Sequence, residues 1–176
     1  QLMLGLWQQG EFNELWLDGT QDAPTNQGTI QSGLVTGASK AVIGRGPKDS
    51  GTTGWDGYIL EFAIWQYKVN DAERILIENY LAAKYRLSVA NDFYIFENTH
   101  GEDVAGIGQN GADLHTSSYS SDILGISNPS ALADGDWLLF GHDGADASSW
   151  TTTEQINGDS NLERIAREWR FDVTNT

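Results

Sequence analysis

The sequence predicts an all-β chain of β-sandwich or jelly-roll elements joined by one connecting α-helix over about residues 71–86. Three observations predict it. Short apolar runs are punctuated by 20 glycines and by clusters of Ser, Thr, Asn and Asp, the pattern of brief strands and turns. From Tyr58 to Ile64 the even positions Tyr58, Leu60, Phe62 and Ile64 are all large and apolar, while Ile59, Glu61, Ala63 and Trp65 are mixed. That period of two is the mark of a strand with one face in a core. After Lys68-Val69, the run Asn70-Asp71-Ala72-Glu73 supplies an N-cap side chain and a glutamate three residues on, the start signal of a helix.

Taken in order, Phe12 and Leu15-Trp16-Leu17 run into Asp18-Gly19, a hairpin turn in which glycine takes positive φ cheaply. Residues 20–32 are polar and expected to be loop. Ala41-Val42-Ile43-Gly44 reads as a short buried strand and 45–54 as a loop. The helix carries one apolar stripe through Ala72, Ile75, Leu76, Asn79, Tyr80 and Ala83, and another through Ile77, Leu81 and Tyr85. A helix lying on one sheet needs a single stripe, so this one is expected between two layers: the 58–65 strand and a C-terminal unit. Strands are expected again at Phe93–Phe96, Val104–Gly108, Ile123–Ile126, Trp137–Phe140 and Ile165–Val173, with polar loops at 110–122 and 143–161.

The 176 residues suit one domain or two small ones, and 39% hydrophobic content is ample for a core. A formal charge of −15 repels nucleic acid and anionic lipid, which excludes both as default partners. The chain has no cysteine, so disulfides, thiolate chemistry and zinc–sulfur sites are excluded together. No apolar run approaches the roughly 20 residues of a membrane-spanning helix, and membrane insertion is not expected. The opening Gln1-Leu2-Met3-Leu4-Gly5-Leu6-Trp7 has no basic stretch or cleavage site. It reads as the middle of a strand that continues from preceding sequence.

Three pieces stand in the order that a LamG-like, concanavalin-type jelly roll would place them: Glu14-Leu15-Trp16-Leu17-Asp18-Gly19, Lys40-Ala41-Val42-Ile43-Gly44, and Trp55 to Ile64 followed by the Asp71-Ala72-Glu73 helix start. The last resembles the closing strand and trailing helix of that family. Glu78–Tyr85, Asp103–Gly108, Asp136–Gly141 and Arg167–Arg170 resemble a β-rich module that follows such domains in bacterial surface adhesins. The resemblance implies residues 1–69 as the C-terminal half of a jelly roll, 70–88 as a connecting helix and 89–176 as a second β-rich module. It implies an extracellular or cell-surface location in a bacterium. It also implies that residues 1–69 meet strands from other chains or from another part of the same polypeptide.

Several motifs bear on chemistry. Gly106-Ile107-Gly108-Gln109-Asn110-Gly111 matches a dinucleotide fingerprint, but no helical stripe follows to hold pyrophosphate, so a turn or bulge is expected. Gly44–Ser50 has phosphate-loop flavour with the wrong spacing. Jelly-roll glycosidases need paired carboxylates on one strand, and the best strand offers Glu61 alone. There is no Gly-x-Ser-x-Gly elbow, and His100, His115 and His142 are expected as surface histidines on loops. No catalytic residue is assigned. Asp134 with Asp136, Asp143 with Asp146, and the Asn157–Asn161 loop gather oxygen donors suited to Ca²⁺; turn chemistry explains the same Asp-Gly pairs. No other cofactor is implied. Trp7, Trp16, Trp55, Trp65 and Trp150 are candidates either for core packing or for stacking on sugars, and Trp65, Glu61 and Trp150 are the candidate ligand-binding set. The expected function is a non-catalytic adhesion or structural module, with a carbohydrate-binding module of a secreted polysaccharide-active enzyme as the alternative.

Overall fold

The computed structural model describes residues 1–6, 14–22, 54, 56–127, 129, 132–151 and 163–175. Among the described residues the fold is mostly β, with one long helix. The expected 41–44 strand, Trp7, Trp55, the 45–53 loop and the Asn157–Asn161 loop lie outside the described residues.

An N-terminal sheet joins β1 (Met3–Leu6), β2 (Glu14–Leu17) and β3 (Thr20–Gln21) in antiparallel order. Its β2–β3 turn places Asp18 and Gly19 at positive φ, and the Asp18 carboxylate accepts from Leu2 N–H at 2.6 Å. Helix α1 (Asp71–Tyr85) starts on the expected capping box: Asn70 Oδ1 accepts from Glu73 N–H at 2.8 Å, and Glu73 Oε2 accepts from Asn70 N–H at 3.0 Å. It ends at Arg86, whose left-handed backbone closes the last turn on Ala82 O. A short helix α2 (Glu97–His100) leads into the C-terminal half.

The main sheet runs β11–β8–β4–β5, formed by β4 (Glu102–Asn110), β5 (Asp113–His115), β8 (Trp137–His142) and β11 (Trp169–Thr174), all antiparallel. Because side chains alternate along a strand, its two faces meet different partners. Val104, Trp137 and Leu139 turn toward Ala72, Ile75 and Ala83 of α1, with Tyr94 completing a buried cluster. Gly106 is part of that fit, since a Cβ there would sit 3.0 Å from Leu76 Cδ2 and 2.7 Å from Leu138 O. The opposite face carries the hairpin of β6 (Ser117–Ser120) and β7 (Leu124–Ser127). A small pair, β9 (Trp150–Thr151) with β10 (Arg164–Ile165), lies in the loop that precedes β11.

Helix α1 does lie between two layers, but the second layer is not the expected one. Its Ile77 side packs with Leu4, Leu6 and Val69, joined by Trp16, so Leu2, Leu4 and Leu6 are buried by this chain itself. Residues 58–64 form no strand. A strand is made by its ladder partner as much as by its own pattern, and no described residue supplies one. Phe93–Phe96 is not a strand either, because Tyr94 plugs inward and donates to His100 O at 2.8 Å. The expected polar loop 110–122 instead holds β5 and β6, while the expected 165–173 strand is interrupted at 166–168. The Gly106–Gly111 motif is the end of β4 and the turn into β5, with no helix after it.

Candidate functional site

Three segments bring a carboxylate, a hydroxyl and an imidazole together. Asp103 sits where the β4–β8 register shifts between Glu102 and Ala105, with φ at 45°. Bulges re-aim side chains, and this one sends Asp103 toward the β6–β7 turn. There Ser121 and Asp122 have φ of 53° and 55°. His142, the last residue of β8, is buried, with the Trp169 ring edge-on at 5.8 Å. Left-handed backbone on non-glycine residues costs about 1–3 kcal/mol each and collects where the surroundings enforce it.

His142 Nε2 lies 2.8 Å from Ser121 Oγ and 3.2 Å from Asp103 Oδ2, and Ser121 Oγ donates to the same Asp103 oxygen. The other ring nitrogen decides what this cluster can do. Gly144 N–H donates to His142 Nδ1 at 2.9 Å. A backbone N–H must meet a lone pair, so Nδ1 is unprotonated and the proton of the neutral ring is on Nε2. Nε2 therefore gives a hydrogen bond to Ser121 and cannot accept that residue's proton. A hydrolytic triad has the opposite wiring, with the carboxylate on Nδ1–H and the nucleophile on a bare Nε2. The same proton keeps Nε2 from ligating a metal. In this arrangement the cluster clamps the β6–β7 turn onto the sheet. Trp169 Nε1–H adds to the clamp by donating to Ser120 Oγ at 3.2 Å.

The Ser121 hydrogen bond, followed by that of His142, holds the Asp103 carboxyl below the usual carboxylate range. A depressed carboxylate contributes stability that is present above its unfolded pKa, about 4, and lost as pH falls through the lower folded value. Asp103→Asn is therefore expected to remove part of the acid-side fall in melting temperature. Thermal melts of both proteins from about pH 2 to pH 6 check this; parallel curves would show that Asp103 carries none of it.

The residues singled out from the sequence fall elsewhere. Glu61 is held by Lys84 Nζ at 2.8 Å and the Tyr85 hydroxyl at 2.7 Å, and the Lys84 contact lowers its pKa. Trp65 is 38% exposed and Trp150 63% exposed. Trp150 pairs with Ile165 on the β9–β10 ribbon, and among the described residues no hydrogen bond or ring contact links it to Trp65 or Glu61.

The four aspartates cap turns. Asp134 accepts from Gly111 N–H at 2.6 Å and Asp136 from Ala133 N–H at 2.8 Å. Asp143 accepts from Ala145 N–H at 3.0 Å, and Asp146 from Ser148 N–H at 2.9 Å. Among the described residues no three His, Asp or Glu side chains come together to hold a metal.

His100 and His142 are buried rather than on the surface, and His115 faces Glu73 at 3.7 Å. The apolar run Trp137-Leu138-Leu139-Phe140 extending to His142 was the one signal that could have placed that histidine in the sheet. Nothing in the spacing of Asp103 and Ser121, 18 residues apart, announces their meeting.

No protein-family model matches the chain, and neither does any curated protein or solved structure.

Proposed function

We propose that this chain is a non-catalytic adhesion or structural module of a bacterial extracellular protein, working by contact with other chains. The observation that carries the reading is the run from Tyr58 to Ile64. It is a run of large apolar residues whose side chains are exposed: Tyr58 93%, Leu60 70%, Phe62 57% and Ile64 74%, with Ile59 at 50%. Contiguous exposed apolar residues of this kind mark interaction surfaces. The closed wiring of the Asp103–Ser121–His142 cluster supports the same reading from the chemical side. The LamG-like resemblance supplies the extracellular setting and the class of module.

Carbohydrate binding is the second reading, favoured by the exposure of Trp150 on its ribbon, since a flat exposed indole suits a sugar face. It ranks below contact with protein because, among the described residues, no hydrogen bond or ring contact joins Trp150 to Trp65 or Glu61 in one surface.

The test is attachment of beads coated with the whole chain to a layer of bacterial or host cells. Doubly substituted Leu60→Asp, Phe62→Asp beads are expected to lose attachment, while Ser121→Ala beads keep it and the soluble chain turns over no chromogenic ester or glycoside. Turnover that disappears in Ser121→Ala, or attachment indifferent to the double substitution, would overturn the proposal.

A further inference from the structure

We propose that the peptide joining Asp143 to Gly144 is an acid-operated switch. When His142 takes a second proton the peptide plane turns over, so that Gly144 N–H leaves Nδ1 and the Asp143 carbonyl takes its place. This does not depend on the contact-module reading and stands or falls separately.

The ring has one place left for a proton. Nε2 already carries the hydrogen that meets Ser121 and Asp103, and Nδ1 is occupied by Gly144 N–H at 2.9 Å. A proton on Nδ1 would set two N–H groups head to head. His142 is 3% exposed, so water does not relieve the clash. Proton uptake and the present orientation of the peptide therefore exclude each other, and acid must favour the other orientation.

The charges around the ring act in favour of uptake. From β4, Glu102 stands directly across from His142 and Asp103 touches it. Asp122 adjoins Ser121 in the β6–β7 turn, and Asp143 follows His142 in the chain. On the approach to β11, Glu168 is paired with Arg164, and Arg167 is bonded to Ala145 O. His100 of α2 closes the same end of β8, with its carbonyl beside Gly141. Carboxylates outnumber the cations, which favours a charged imidazole.

The peptide can turn without moving its neighbours. Asp143 N–H is fixed to Glu168 O at 3.1 Å, Glu168 N–H to Asp143 Oδ1 at 3.2 Å, and Arg167 Nε–H to Ala145 O at 2.7 Å. None of these bonds uses Gly144 N–H or the Asp143 carbonyl, the two groups that a turn of this plane exchanges. Gly144 stands at φ 78°, a conformation that glycine adopts without strain. A half-turn of the plane brings that φ to about −100°, in the broad region open to every residue. The turned carbonyl accepts from Nδ1–H, so the ring is satisfied in both states.

The experiment is a series of ¹⁵N spectra of the whole chain from about pH 8 to about pH 4.5, a span that covers ordinary imidazole titration. His142 Nδ1 is expected to gain its proton in step with loss of its coupling to the Gly144 amide. That amide should then exchange with water more than about tenfold faster, after correction for the intrinsic rate. His142→Gln should leave the Gly144 amide without a titration step in this span. Gly144→Ala separates the peptide from the ring. A Cβ there would meet only the Glu102 side chain, at 3.3 Å, while an L-residue disfavours the present φ about 5–30-fold. The pH of the change should therefore rise by about 0.7–1.5 units in Gly144→Ala.

Three results would overturn the proposal: a ring that gains its proton while the Gly144 coupling persists, a ring that stays neutral throughout, or a Gly144→Ala titration that matches the wild type. Loss of Val104 and Leu139 amide protection in the same step would also overturn it, because the whole sheet would then be opening.

Discussion

Arg74→Ala is expected to lower the unfolding free energy by about 3–5 kcal/mol. The guanidinium is buried between α1 and the N-terminal sheet, giving Nη1 to both Glu78 oxygens at 2.9 and 3.0 Å and Nε to Asp71 at 3.1 Å. Its Cζ lies 3.5 Å from the centre of the Trp16 ring. Removing it strands a buried carboxylate that the Asp18-Gly19 turn also covers, since a Cβ on Gly19 would stand 3.2 Å from Glu78 Oε2.

Burial already pushes the Glu78 pKa up, and Arg74 pulls it back. Without Arg74 the upward shift is unopposed. A carboxyl raised in the folded state is tolerated while protonated and becomes destabilising as pH rises through its folded pKa. The deficit in Arg74→Ala should therefore shrink in acid and widen toward neutral pH. Arg74→Met combined with Glu78→Leu should recover most of the loss, because the pair is replaced whole. Urea titrations of the three proteins at two pH values check both statements. A deficit under about 1 kcal/mol at neutral pH would mean that the pair does not hold the layers together.

Trp137→Ala is expected to cost a similar amount, about 3–5 kcal/mol. The indole is buried in the cluster with Ile75, Leu139 and Tyr94, and stacks on Phe93 at 5.0 Å with 16° between the planes. Gly108 lies directly opposite on β4, and a Cβ at that position would fall on the indole. Gly108→Ala should therefore displace the ring and cost about 1–3 kcal/mol by overpacking, with loss of the near-ultraviolet signal of the stack. Calorimetry and near-ultraviolet dichroism of both variants are the checks. A Gly108→Ala protein with wild-type stability and spectrum would show that the indole is not seated against that strand.

What was legible in the sequence was local. Asn70 and Glu73 announced α1 because a capping box is satisfied within four residues, and the expected strands at 104–108 and 137–140 lie within β4 and β8, while the one at 123–126 starts a residue later, Ile123 being in the turn before β7. Two apolar stripes correctly implied two layers on α1. Periodicity could not say which layers, because it records that a face is apolar and not what meets it. The 58–64 run has a better strand pattern than β6 (Ser-Ser-Tyr-Ser), yet β6 has a ladder partner in β7 and 58–64 has none among the described residues. The site was illegible for a related reason. Asp103, Ser121 and His142 are joined by a bulge, a left-handed turn and a strand end, which are tertiary events with no spacing rule.

Which ring nitrogen of His142 carries the proton separates a structural clamp from a working nucleophile–base pair. The ¹⁵N shifts of His142 in the whole protein at neutral pH measure this directly. The expected result is an unprotonated Nδ1, with an amide coupling to Gly144 N–H, and a protonated Nε2. A bare Nε2 beside Ser121, with the proton on Nδ1, would contradict it.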